Sequence, residues 1–107
     1  MTMDPEQIYA ALIDAGDAWS EAEAAASLLE ETRKSVLAKL MNEAAASSVA
    51  AKEMEAQGDD TYVDFVNRMV QARKAANKAK VRYDSGKVLA ELRRSQESTR
   101  RAEMSLR

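Results

Sequence analysis

The side chains that could do chemistry in this 107-residue chain are carboxylates, guanidinium and ammonium groups, one indole and three phenols. Cysteine and histidine are absent. That removes a thiol nucleophile, a disulfide framework, a Ser–His triad, an ordinary zinc site and the Glu-x-x-His pattern of di-iron bundles. Carboxylates do recur at helical spacing, as Asp14/Asp17/Glu21 and Glu30/Glu31. Such pairs can perform general acid–base work only in a desolvated pocket that shifts one pKa. A thin helical chain offers no such pocket, and these acids read as a solvated helix face. Gly16, Gly58 and Gly86 are isolated, so no phosphate-cradling glycine loop is present. The chain therefore reads as a non-enzyme without cofactor or metal.

What remains is charge, and it is divided along the chain. Residues 1–60 carry 13 acids and 4 bases, net -9, while residues 61–107 carry 5 acids and 12 bases, net +7. One reading is electrostatic matching of an acidic first arm to a basic second arm. This would set antiparallel pairing more than stability, because exposed ion pairs contribute only about 0–1 kcal/mol each. A second reading is a nucleic-acid-facing stripe of Arg73, Lys74, Lys78, Lys80, Arg82, Lys87, Arg93, Arg94, Arg100 and Arg101. Against it stand a sequence pI of about 5.2 and a single interleaved aromatic, Tyr83. A third is an acidic protein partner. Arg93, Arg94, Arg100 and Arg101 lie beyond Leu92, the last strong apolar position, and are the candidate contact residues for a partner or nucleic acid.

The elements that would carry these residues are helices. Apolar content is 46%, with three glycines and one proline. Asp4-Pro5-Glu6-Gln7 reads as an N-cap, a proline at the first helical position and the Gln of a capping box. A 4,3 repeat follows through Ile8, Leu12, Ala15, Trp19, Ala22, Ala26, Leu29, Arg33, Val36 and Leu40. Trp19, in phase with this seam, is expected to be buried in it. Gly16 marks either close approach or a tolerated cost. Residues 44–48 suggest a bend with a serine cap, with one continuous helix to Gln57 as the alternative. Gly58 fits a left-handed helix end, and Asp59, Asp60 or Thr61 a new cap. A second seam runs through Tyr62, Phe65, Met69, Ala72, Ala76, Ala79, Tyr83, Gly86 and Ala90. The expected helices are 5–43, 48–57 and 61–105 within one domain, 1–107.

The fold class is thus all-α: an elongated antiparallel helical hairpin, coiled-coil-like, with a short middle helix. Both seams narrow to alanine in the middle, so Ala22 and Ala26 should face Ala76 and Ala79. A thin hairpin buries too little surface alone. Further apolar positions at Ile13, Leu28, Leu37, Val70 and Leu89 suggest a second contact face, which a homodimer forming a four-helix assembly would supply. The first base is Arg33, after eight acids, so the start does not resemble a secretory signal. No stretch approaches 18 apolar residues. A cytoplasmic protein without membrane contact is expected.

Two stretches, Trp19 through Leu40 (WSEAEAAASLLEETRKSVLAKL) and Ala79 through Met104 (AKVRYDSGKVLAELRRSQESTRRAEM), resemble small uncharacterised helical proteins of tailed bacteriophages and prophages. Such proteins often sit near recombination and DNA-metabolism genes. The resemblance covers about half the chain and carries over no catalytic residue. The small secreted WXG hairpins are similar in length, but Trp19 is followed by Ser20-Glu21 inside a helix, not by the Trp-x-Gly turn. The expected role is a phage-type accessory or adaptor protein acting through protein contacts, and the resemblance adds a tilt toward phage DNA metabolism. The alternatives are a direct nucleic-acid binder using the basic last helix, and a phage inhibitor of a host defence enzyme whose acidic arm mimics nucleic acid.

Overall fold

Asp4 and Gln7 start the first helix by capping each other. The Gln7 backbone N–H donates to Asp4 Oδ1 at 2.9 Å, and the Asp4 N–H donates to Gln7 Oε1 at 3.0 Å. Two backbone donors that a helix start leaves orphaned are satisfied in this way. The computed structural model describes residues 4–106, which form three α-helices and no strand. They are α1 (Pro5–Glu43), α2 (Val49–Gln57) and α3 (Asp60–Ser105). None of the helices is long and apolar enough to cross a membrane.

The break after α1 is real, and the continuous-helix alternative fails. Residues 44–48 are non-helical. Ser48 takes an extended conformation and accepts from the Ala51 N–H at 3.1 Å, capping α2. Glu55 reaches back to accept from the Ala46 N–H at 3.2 Å, closing the bend with a side chain.

Gly58 departs from expectation. It is not left-handed: φ is -85° and ψ is -7°. The Gly58 N–H still donates to the Met54 carbonyl at 3.1 Å, and the Asp59 N–H donates to the Ala56 carbonyl at 3.2 Å. The helix therefore tightens into a last short turn, and no positive φ is needed. Asp59 then caps α3, its carboxylate accepting from the Thr61 N–H at 2.8 Å. Because Asp59 caps, α3 starts at Asp60, one residue before the expected Thr61.

The chain divides into two compact units, Glu21–Ala76 and Met1–Ser20 with Asn77–Arg107. The central unit, Glu21–Ala76, contains all five buried residues found among the described ones: Ala26, Ala56, Tyr62, Phe65 and Ala76. Its α1 and α3 segments run antiparallel, since Glu23 and Glu30 meet Arg73 while Arg33, further along, meets Tyr62. Ala26 and Ala76 are wholly inaccessible to solvent. The alanine zone of both seams is therefore the tightest part of this unit.

The terminal unit pairs the start of α1 with the later part of α3, again antiparallel. Gly16 lies against Tyr83 and Gly86 against Leu12. Its seam residues Ile8, Leu12, Ala15 and Trp19 are half-buried, as are Ala79, Tyr83, Gly86 and Ala90. Trp19 is thus in the seam as expected but not enclosed by it. Its ring stacks on Tyr83 with centroids 5.6 Å apart and an interplanar angle of 28°. Gly16 is a close-approach glycine: a Cβ there would sit 3.2 Å from Tyr83 Cε2.

Two predictions follow from these seams. Ala76→Leu should overpack the central unit and cost about 1–3 kcal/mol in denaturant melts; an unchanged midpoint would show that Ala76 faces space. The two seam glycines should respond differently to Ala. At Gly86 the neighbour 3.2 Å away is the Leu12 Cδ2 methyl, the end of a flexible chain, so Gly86→Ala should gain part of the ~1 kcal/mol helix preference for Ala. At Gly16 the neighbour is a ring pinned by Trp19, so Gly16→Ala should gain nothing or lose stability. Equal gains at both sites in thermal melts would contradict this packing.

Candidate interaction site

In the central unit, Glu23 and Glu30 lie seven residues apart, two turns along one face of α1. That spacing lets one long side chain from α3 reach both. Arg73 Nη1 donates to Glu23 Oε2 at 2.5 Å, and its Nη2 and Nε donate to the two Glu30 carboxylate oxygens at 2.6 and 2.9 Å. The Glu30 contact is the two-pronged fork that guanidinium and carboxylate geometries favour. The donated bonds from Arg73 hold the Glu30 carboxyl below the usual carboxylate range, against an opposing effect of desolvation. The same bonds push the Arg73 pKa up. One turn further along α1, Arg33, the lone polar seam residue, donates to the Tyr62 hydroxyl at 3.3 Å.

Electrostatic matching along the whole length of the two arms is not what is seen. Arg93 aside, no other base of α3 pairs with α1 among the described residues. Lys80 and Lys87 instead flank Asp84 on α3 itself, at 4.0 and 3.6 Å, and Lys87 also sits 4.9 Å over the Tyr83 ring. Water screens the bases that stay outside.

The four candidate arginines all come together in the terminal unit. Arg93, Arg94, Arg100 and Arg101 line an open groove of about 1050 Å³, with Lys87 beside them. Its apolar floor is Pro5, Ile8, Tyr9, Leu12 and Ala90, and its carboxylates are Asp4, Glu91 and Glu97. Sequence reasoning placed these arginines beyond Leu92 as the last seam residue, and that reason needs correction. Leu92 is 57% exposed, off the seam, whereas Arg93 is half-buried and continues the 4,3 spacing from Ala90. Arg94, Arg100 and Arg101 are exposed and unpaired among the described residues.

The apolar floor is the part that sequence reasoning missed. Tyr9, 67% exposed, lies one residue off the α1 seam and was invisible to a seam-based reading. The available signal was antiparallel pairing itself, which sets residues 5–12 against residues 87–94. The acids Asp14, Asp17, Glu21 and Glu31 are exposed, and none has a partner among the described residues. No polar or charged residue is buried, and no three carboxylates cluster to hold a metal ion among the described residues. The arrangement can bind a surface that combines negative charge with apolar groups.

The Arg73 fork should show in a pH series. Glu30 has a lowered folded-state pKa, so its stabilisation is present above the ordinary carboxylate value and is lost as pH falls through the lowered one. Glu30→Gln should therefore melt below wild type at neutral pH, and the two should converge in acid. A gap that persists at acid pH in thermal melts would show that the effect is packing, not charge.

No known protein family, no curated protein and no solved structure matches the chain.

Proposed function

We propose that the chain is a non-enzymatic helical accessory protein that acts through protein contacts. In this reading it is an antiparallel helical hairpin with a short middle helix, which pairs with a second copy into a four-helix assembly. The observation that carries the reading is the amount of surface left in water. The chain exposes 8408 Å². A compact folded monomer of 11.8 kDa would expose about 5900 Å² on the usual area–mass scaling. The excess matches what a large, permanent interface covers on each partner, since such interfaces bury roughly 2000–5000 Å² in total.

The exposed surface is also of the right kind. Ile13, Leu28, Val70 and Leu89, four of the five positions expected to form a second contact face, are exposed; Leu37 is half-buried. Val81, Val88 and Leu92 add to the apolar exposure of the terminal unit, and Val49, Met54 and Val63 to that of the central unit. The resemblance of residues 19–40 and 79–104 to small phage proteins tilts this reading toward phage DNA metabolism, and we place the protein in the cytoplasm, acting through a protein partner.

Direct nucleic-acid binding is the second reading, and the unpaired Arg94, Arg100 and Arg101 favour it. The acidic first arm opposes it, because its field repels a polyanion. Sedimentation equilibrium at micromolar concentration should give twice the chain mass; a monomer mass with full helicity would contradict self-association. A duplex DNA titration at physiological salt should show no binding tighter than micromolar. Submicromolar binding that weakens with salt at a log–log slope near -0.9 per neutralised phosphate, and is lost on changing Arg93, Arg94, Arg100 and Arg101 to Ala, would install the second reading instead.

A further inference from the structure

The terminal groove has a chemistry of its own, and another part of the same chain has its complement. Arg94, Arg100 and Arg101 hold positive charge on the groove with no partner among the described residues, over a floor that includes Ile8, Tyr9 and Leu12. An occupant must bring carboxylates and apolar side chains together on one short element. The short helix α2 does so with Glu53, Met54 and Glu55, inside the acidic stretch 43–64 that runs from the end of α1 to the start of α3. That stretch contains six acids (Glu43, Glu53, Glu55, Asp59, Asp60 and Asp64) and one base, Lys52. Within it α2 turns Ala56 inward and leaves Val49 73% and Met54 75% exposed. On α2 the exposed Glu53 and Glu55 project about 100° to either side of the exposed Met54, so a carboxylate stands on each flank of the apolar anchor. None of the six acids forms an ion pair among the described residues.

We propose that the groove of one copy receives the α2 segment of a second copy, with Met54 on the apolar floor and Glu53 and Glu55 against the unpaired arginines. The proposal rests on the self-association argued above and names its surface. A two-fold pair is the natural arrangement, because each chain carries one groove and one α2 segment. The contact of residue i with residue j is then repeated as j with i. Charge complementarity of this type sets register and orientation more than raw affinity. Val49 and Met54 supply the apolar part, and methionine adapts well to an irregular surface.

A phosphate backbone fits the same groove less well. Asp4, Glu91 and Glu97 line it beside the cations and would repel a uniform polyanion. The mixed segment around α2 carries Lys52 as well as its acids, and so can answer both signs. The apolar floor has no counterpart on a phosphate chain.

The test is a charge swap read by sedimentation equilibrium, with helicity followed by circular dichroism. The variants are R94E/R100E/R101E and E53K/E55K in the full chain. Each alone should self-associate at least about tenfold more weakly than wild type. Their equimolar mixture should associate to within about threefold of wild type. Glu55 also accepts from the Ala46 backbone, so Met54→Ser, at a side chain three-quarters exposed, serves as a second probe and should weaken association too. A wild-type dimer left intact by the charge variants would overturn the groove assignment while leaving self-association standing. So would a mixture that fails to recover. A wild-type monomer would overturn both. Displacement of the second copy by micromolar duplex DNA would assign the groove to a polyanion.

Discussion

Small residues where the two long helices touch are the constraint on which the other features depend. Ala26 and Ala76 are wholly buried in the central unit, and Gly16 and Gly86 sit a Cβ's breadth from Tyr83 and Leu12 in the terminal one. Helices in contact through such residues come close and gain dispersion energy along their backbones. They enclose very little side-chain volume in doing so. Five residues are buried among those described, three of them alanine, and the terminal unit contains none of the five. Off the seams, larger apolar side chains such as Leu28, Met54, Val70 and Leu89 are left exposed, where a second surface can cover them. The proposal of a self-associating protein follows from this arithmetic of area, not from any single contact.

Charge plays a narrower part than its quantity suggests. A net of -9 on the first 60 residues and +7 on the rest could have made a zipper. What is seen instead among the described residues, Arg93 aside, is one fork at Arg73, local pairs around Asp84, and many charges without an ion pair. The fork fixes the register of the central unit by binding two glutamates two turns apart. Among the described residues, the charges without an ion pair include two groups of opposite sign, the acidic segment around α2 and Arg94, Arg100 and Arg101 of the terminal groove. Fields of this kind select partners and speed encounter; they add little to the stability of the chain that carries them.

Much of the architecture was legible because the local signals agreed with one another. Asp4-Pro5-Glu6-Gln7 spelled a capping box, and the structure has both of its hydrogen bonds. Every apolar seam residue named from the 4,3 repeat, on both helices, is buried or half-buried, and Arg33 alone on the seam is exposed. Ser48 capped where adjacent serines suggested a cap. The failures have physical reasons. Gly58 looked like a left-handed cap, but Asp59 supplies the start of α3 so promptly that a tightened last turn suffices. Trp19 was read as enclosed because it is in phase with the seam, yet a seam of alanines and a tyrosine lacks the depth to enclose an indole. The groove was half legible. Its arginines could be named from their run, but its floor depends on which residues of α1 lie opposite, and that is a property of the pairing.

Folding coupled to association is the centre of the account, and the concentration dependence of the thermal midpoint tests it most directly. For a dimer with no stable monomer, a hundredfold rise in concentration adds about 2.7 kcal/mol per dimer. For a two-chain unit of this size that should raise the midpoint on the order of 5–10 °C. A midpoint that rises by this amount between micromolar and hundred-micromolar protein is the predicted result. One that stays constant over that range, with full helicity at both ends, would show that the narrow seam is sufficient by itself and would contradict the account.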